Sequence, residues 1–199
     1  MDNTVGSQQR DIIIGTLLGD GFLERNGKNV RLIVDHSLAQ QEYVIWKKER
    51  LDAIPSKLTI KQRKDMRTGK FYSHCILRTR SLPLFEEYVH LFYKDKRKCV
   101  PRDLPRYISS QVLAVWIMDD GYRRNDCNAM RLNTQSYSYE EQGVIRTALE
   151  TVGIESIIQK HKESFVIYIP SRSMERVRSF VRPHIIPSME YKIAWPRND

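Results

Sequence analysis

Asp20 and Asp120 are the residues of this sequence best placed to do chemistry. Each closes an apolar run of helical length, Ile13-Ile14-Gly15-Thr16-Leu17-Leu18-Gly19-Asp20-Gly21 and Leu113-Ala114-Val115-Trp116-Ile117-Met118-Asp119-Asp120-Gly121. A carboxylate at the C-terminal end of a buried helix gives up solvation and meets the negative end of the helix dipole. Two such placements at matching positions in two similar halves indicate a paired acidic site whose natural occupant is a divalent cation. Taken singly, Asp-Gly is also a common turn pair, and the doubling is what favours a site. Asp119 stands where the first copy has Gly19. Asp119, and Gly19 through its backbone carbonyl, are therefore secondary candidates for the metal set.

Aligning the two acids exposes a diverged tandem repeat. Val34-Asp35-His36-Ser37 corresponds to Asn133-Thr134-Gln135-Ser136, and each is followed by a segment of helical apolar spacing, 38–51 and 137–149. Ser37 and either Ser136 or Ser138 are the N-cap candidates. Strand-like segments follow at 57–63 with 71–80, and at 157–161 with 165–170, and closing helices at 83–93 and 174–181. The order predicts an α+β fold of two pseudo-symmetric αββαββα halves with antiparallel sheets. The halves are 1–100 and 101–199, joined by a basic, proline-bearing linker at about 94–109.

The chain has 199 residues and a formal net charge of +9, which points to a polyanionic partner, nucleic acid before membrane. Apolar residues at 41% and charged residues at 29% fit a folded domain and argue against disorder. No apolar run approaches the roughly 20 residues of a membrane span, and the polar N-terminus lacks the features of a secretory signal. Cys75, Cys99 and Cys127 form no CxxC pair, which argues against zinc and disulfides and for a reducing, intracellular setting. The five histidines form no metal-binding or nuclease spacing.

The positive charge is clustered. Between Ser56 and Arg80 there are eight Lys or Arg and one Asp. Period-two alternation places Lys57, Thr59, Lys61 and Arg63 on one strand face, and Tyr72, His74, Ile76, Arg78 and Arg80 together on the next strand. Arg67 and Lys70 lie in the loop between them. Weaker echoes occur at Arg123, Arg124, Arg131, Lys160, His161 and Lys162. A solvated sheet face is the ordinary reading of one basic strand. The density and repetition favour a DNA-binding sheet that places side chains in the major groove. Arg25, Lys28, Arg31, Gln62, Asn133 and Gln135 complete the candidate contacts.

These residues resemble the LAGLIDADG homing endonucleases in their single-chain form with two motifs. The second half carries Leu113-Ala114-x-Trp116-x-Met118-Asp119-Asp120-Gly121, Leu132-Asn133-Thr134-Gln135-Ser136 and Ile185-Ile186-Pro187-Ser188-Met189-x-Tyr191-Lys192. The first adds His36-Ser37, Gln41-Glu42-Tyr43, Trp46-Lys47 and the stretch from Phe92-Tyr93 to Lys98-x-x-Pro101. The resemblance implies two signature helices packed side by side and two four-stranded saddle-like sheets that straddle DNA. It implies a monomeric, site-specific double-strand DNA endonuclease that hydrolyses one phosphodiester per strand of a long, near-asymmetric target. Asp20 and Asp120 would hold Mg²⁺, with Mn²⁺ as substitute, and Lys98 and Lys192 would act near the active centres. The alternative on the same scaffold is an intron RNA maturase, for which intron RNA is the partner. The host, whether organelle, bacterium or phage, is not distinguished.

Overall fold

The computed structural model describes residues 5–195. The chain divides into two units, Met1–Leu91 and Phe92–Asp199. No described helix is long and apolar enough to cross a membrane.

Unit 1 opens with α1 (Ser7–Leu18), whose residues from Ile12 to Leu18 are all buried. A helix that is apolar all round has to lie inside the protein. It delivers the chain directly into β1 (Phe22–Asn26), which pairs with β2 (Asn29–Ser37). Ser37 then caps a short 3₁₀ turn by accepting from the Ala39 amide, and α2 (Gln41–Arg50) continues from it. The strands β3 (Ser56–Lys64) and β4 (Phe71–Thr79) complete an antiparallel sheet of order β1-β2-β4-β3. A proline-started 3₁₀ turn leads into α3 (Glu86–Phe92). The sheet's inner face carries Val30, Leu32, Val34, Cys75 and Leu77, all buried. Cys75 packs there as a small hydrophobe, and burial pushes its thiol above the usual range.

Unit 2 begins at Phe92, just before the segment read as a linker. A short hairpin of β5 (Tyr93–Lys94) and β6 (Arg97–Lys98) precedes α4 (Ser110–Asp120). Ser109 caps α4 by accepting from the Val112 amide at 3.1 Å. The strands β7 (Gly121–Arg123) and β8 (Met130–Leu132), then α5 (Tyr139–Thr151), β9 (Ile157–His161), β10 (Ser164–Ile169) and α6 (Ser171–Val181), repeat the order of unit 1. The sheet order is again equivalent, β7-β8-β10-β9. Of the two serine candidates, Ser138 caps α5, in a capping box with Glu141.

The registers shift the alignment between halves by one residue. Phe22 pairs with Ile33, so Gly21 stands opposite the Val34 position, whereas Gly121 pairs with Leu132. His36 therefore corresponds to Thr134, not Gln135. The β1–β2 turn has two residues and the β7–β8 connection has six, 124–129, so sequence alone had no anchor for the gap.

Candidate active site and nucleic-acid interface

The two Asp-Gly turns are built alike but not identically. After α1, the Gly19 amide donates to the Gly15 carbonyl at 3.1 Å and the Gly21 amide to the Thr16 carbonyl at 2.8 Å. The second bond reaches back five residues, so Asp20 is squeezed out of the helix into the turn. Its side chain is 43% exposed, which corrects the expectation of a buried acid there. After α4, the Gly121 amide donates to the Ile117 carbonyl four residues back, so Asp120 remains the last helical residue and is half-buried. Asp119, one position earlier, is only 7% exposed.

Each turn requires its glycine. A Cβ on Gly21 would lie 2.4 Å from Thr16 Cγ2 and 2.8 Å from the Thr16 carbonyl oxygen. On Gly121 it would lie 2.5 Å from the Ile117 carbonyl oxygen. All three distances are inside van der Waals contact, so the strand can leave the helix this sharply only without a side chain.

The surroundings of the acids also differ. In unit 1, His36 Nδ1 lies 3.5 Å from Asp20 Oδ2 and 3.1 Å from Gln40 Oε1. Its buried ring rests on Tyr43 at 5.4 Å between centroids, and Tyr43 stacks on Trp46 and lies under the buried Lys47 ammonium. These aromatics are wall and core, as expected, not base-stacking platforms. His36 is the functional candidate that the sequence reading passed over. Its signal was the adjacent His36-Ser37 pair, read there as a repeat marker and a family motif but given no role. In unit 2, Thr134 at the matching position is tied into a neutral, buried network. Its hydroxyl donates to Gln142 Oε1 at 2.8 Å and accepts from the Ile167 amide at 3.1 Å. The Gln142 amide in turn donates to the Thr134 and Phe165 carbonyls.

Lys192 is brought to the Asp120 turn, where its ammonium donates to the Gly121 carbonyl at 2.8 Å and the Asp119 carbonyl at 3.3 Å. It is held there from behind by Arg178, which is 3% exposed on α6. The Arg178 Nε donates to the Ile193 carbonyl at 2.7 Å, another arm reaches Asn128, and the guanidinium lies 4.0 Å from the Trp195 ring centroid. Asn133 donates its amide to the Asp120 carbonyl at 3.1 Å, which puts it beside the acid. Tyr137 is buried nearby, and burial, reinforced by the Asp120 carboxylate, pushes its phenol well above the ordinary range. It is a neutral hydroxyl at any working pH. Lys98 is half-buried on β6, opposite Tyr93.

At each turn a carboxylate and the carbonyl of the residue before it are the oxygen donors that a cation would meet. That is the hard oxygen set suited to Mg²⁺ or Mn²⁺. His36 adds an imidazole beside Asp20, a nitrogen donor that the sequence reading had not counted. In unit 2 the Asp119 carbonyl already accepts from Lys192.

On the open face of unit 1 the registers place Lys57 beside Arg78, Thr59 beside Ile76, Lys61 beside His74 and Arg63 beside Tyr72. The face is organised, not simply positive. Asp35, half-buried on β2, holds Arg63 at 2.7 Å and His74 at 2.9 Å, Arg78 donates to Thr59 at 3.1 Å, and Arg31 pairs with Glu24. Arg80 is exposed just past β4, and Lys28, Arg67 and Lys70 occupy exposed hairpin tips. Asp65 pins the longer tip by accepting from the Thr68 and Arg67 amides, which hold its carboxyl below the usual range. Two candidates are placed elsewhere. Arg25 points to the opposite face and forms a two-pronged ion pair with Glu86 of α3, and Gln62 shares the face of Leu58 and Ile60. A single register step decides this, because it moves a side chain through the sheet.

In unit 2 the open face carries Tyr122, Arg131 and Tyr168 in one row, followed by Gln159 and His161. Buried Arg131 Nε and Gln159 Oε1 have no hydrogen-bond partner, so both have capacity left for a ligand. Gln159 was missed, although the alternation of β9 (Ile157, Gln159, His161) carried the signal. Arg123 and Lys160 lie on the other face. Arg123 donates to the Trp195 carbonyl at 2.8 Å, and Lys160 stands beside Phe165, whose ring packs on Tyr139 of α5. Arg124 is paired with Asp126, whose carboxyl that contact lowers to about 2. Gln135 is exposed beyond β8, and Lys162 sits at the β9–β10 tip.

Comparison with known proteins follows the same lines. The chain is 29% identical over 206 residues to the DNA endonuclease I-ChuI of Chlamydomonas applanata, covering 94% of each. It is 28% identical over 212 residues to the cytochrome b mRNA maturase bI2 of Saccharomyces cerevisiae, of which it spans half the length. The solved homing endonuclease I-WcaI, bound to its DNA recognition sequence, matches 96% of this chain with a TM-score of 0.88 at 26% identity. The family model for the LAGLIDADG DNA endonucleases matches residues 10–177, and the chain belongs to that family.

Proposed function

We propose that this protein is a monomeric, site-specific DNA endonuclease that hydrolyses one phosphodiester on each strand of a long, near-asymmetric duplex target, using divalent metal. The observation that carries the reading is the recurrence of the Asp-Gly turn at the head of two equivalent four-stranded sheets. A repeated half-site of this kind suits a duplex, with each half reading one side of the target.

Asp20 and Asp120, with the Gly19 and Asp119 carbonyls, would hold Mg²⁺ or its substitute Mn²⁺. When bound, the metal supplies Lewis-acid activation and neutralises charge on the phosphate. His36 orients the Asp20 carboxylate, and its own ring is held by Gln40 and Tyr43. Lys192, docked on the Asp120 turn by Arg178, presents a fixed positive charge toward a phosphate oxygen as negative charge grows there. Lys98 is assigned the same role for the other strand. No side-chain nucleophile is required, because water is the attacking group. The sheet faces hold the duplex, and Arg63 and Arg78, each pre-set by a neighbour, read bases. The neutral Tyr137 phenol adds a hydrogen-bond donor without adding charge.

The test is incubation with plasmid DNA carrying the intronless insertion site, with Mg²⁺ and with EDTA. Metal-dependent linear product supports the reading, and intact plasmid under both conditions sinks it. The 28% identity to the yeast maturase over 98% of the chain favours keeping a second reading, an RNA-binding splicing cofactor. Tight binding to intron RNA without any cutting of the insertion site would select it. A relative from Wickerhamomyces canadensis is named as a probable intron-encoded endonuclease, and an intron-borne gene acting inside the cell or an organelle is the matching proposal here.

A further inference from the structure

Among the described residues three non-glycine residues adopt positive φ, and all lie in two-residue hairpin turns of unit 2: Asp95 (50°), Lys96 (64°) and Lys162 (55°). Unit 1 uses glycine at its positive-φ hairpin positions, Gly27 (67°) in the two-residue β1–β2 turn and Gly69 (69°) in the longer β3–β4 connection. In the β5–β6 turn both central residues are left-handed, the type I′ pattern, which favours Asn or Asp followed by Gly. Asp95 conforms, and Lys96 stands in the glycine position. In the β9–β10 turn only the first central residue, Lys162, is left-handed, where the β1–β2 turn of the same length has Gly27. An Asn or Asp can offset this conformation with a local hydrogen bond, but lysine has no such compensation.

The chain therefore places lysine twice where its own backbone favours glycine. Both side chains are exposed, and neither is engaged in an ion pair among the described residues. The β5–β6 hairpin is also tied to α5. The neighbouring Arg97 makes two hydrogen bonds to Glu141 of α5, at 3.0 and 3.1 Å, and Glu141 accepts from the Val100 amide as well. Strain retained on a fixed platform is a mark of function.

We propose that Lys96 is a DNA-backbone contact outside both four-stranded sheets; Lys162, already a candidate contact from the sequence, shares its backbone device at the tip of β9–β10. The inference rests on the endonuclease reading, in which Lys98 serves a scissile phosphate. Lys96 lies two residues before Lys98 on the same hairpin, about 7 Å away along an extended chain. A strand whose phosphate meets Lys98 therefore passes the turn, and an ammonium there grips an adjacent phosphate without reading sequence.

The experiment uses the full chain and a duplex of about 40 base pairs of arbitrary sequence, in EDTA, with affinity followed across a salt series. Lys96→Gly relieves the strain, so its Tm is expected to rise by about 2–4 °C. Its affinity is expected to fall roughly threefold to tenfold, with the slope of log K against log salt smaller by about 0.9. Lys96→Asn, which tolerates the turn but is neutral, reproduces the binding loss, and Lys162→Gly behaves likewise. Wild-type affinity and slope in Lys96→Gly, a lowered Tm, or a loss seen on intron RNA but not on the duplex each overturn the proposal. Wild-type protein that fails to bind the duplex in a salt-dependent way overturns the endonuclease reading itself, which separates the two failures.

Discussion

Asp20 and Asp120 end the same motif, yet the fold makes them different carboxylates. The Gly21 amide reaches back five residues and the Gly121 amide four, so one acid is pushed into the turn and exposed, while the other stays on the helix and half-buried. Around the first stand an imidazole and a glutamine, and around the second a lysine, a neutral phenol and a Thr-Gln network. A repeat conserves a path of the backbone, and it leaves each copy free to tune the electrostatics at the end of that path.

The sharpest way to break this comparison is to neutralise each acid. Asp20→Asn and Asp120→Asn are each expected to lower double-strand cleavage by about 10³-fold or more while DNA affinity survives. Supercoiled plasmid resolved on a gel separates nicked from linear product. Strong residual linear product from either variant would mean that the acid is misassigned. Unequal nicking between the two would measure how far the halves have diverged.

Next in size is the support of Lys192. Removal of its ammonium in Lys192→Met is expected to slow cleavage about 100-fold at unchanged affinity. Arg178→Lys keeps the charge but loses the fork that holds the Ile193 carbonyl and Asn128. It is expected to reproduce part of that defect and to lower Tm. Single-turnover rates alongside binding isotherms check both, and a full cleavage rate in Lys192→Met would remove lysine from the mechanism.

The glycines test the turns themselves. Gly21→Ala and Gly121→Ala are each expected to cost about 1–3 kcal/mol in denaturant unfolding, from overpacking. Thr16→Ser deletes the Cγ2 methyl that a new Cβ at position 21 would strike, so it should partly rescue Gly21→Ala. No such rescue exists for Gly121→Ala, because the clash there is foremost with a main-chain oxygen.

The smallest effect concerns Glu141, which has no counterpart at the start of α2. Burial pushes its carboxyl up, but the Arg97 guanidinium and the Ser138 and Val100 amides outweigh it, and the net shift is downward. A carboxyl lowered on folding stabilises above its unfolded pKa of about 4.3 and loses that contribution as pH falls through the lower folded value. Glu141→Gln should therefore flatten the pH dependence of stability on the acid side, by less than about 1 kcal/mol given the partial exposure of Arg97. An unchanged melting profile between pH 3 and 6 would show that the cluster is not coupled to folding.

Most of the fold was legible because its signals are local. The apolar runs before Asp20 and Asp120, the alternation in β3 and β4 and the serine caps each need only a few neighbouring residues. The β5–β6 hairpin escaped notice because two-residue strands have no period to detect. His36 escaped because a histidine is defined by what it faces, and Asp20 is 16 positions away in sequence. Arg25 and Gln62 were assigned by charge and type, but Glu86 and the pleat decided which way they point.

The sequence by itself determined two αββαββα halves, a basic character and an acid at the end of each apolar helix, since periodicity, composition and turn chemistry are written residue by residue. The tertiary structure decided which acid is exposed, that His36 meets one and Lys192 the other, and which cations stand on the open faces. Those outcomes depend on hydrogen-bond reach and sheet register. A difference of one residue there is invisible in the motif, yet it changes where a side chain ends.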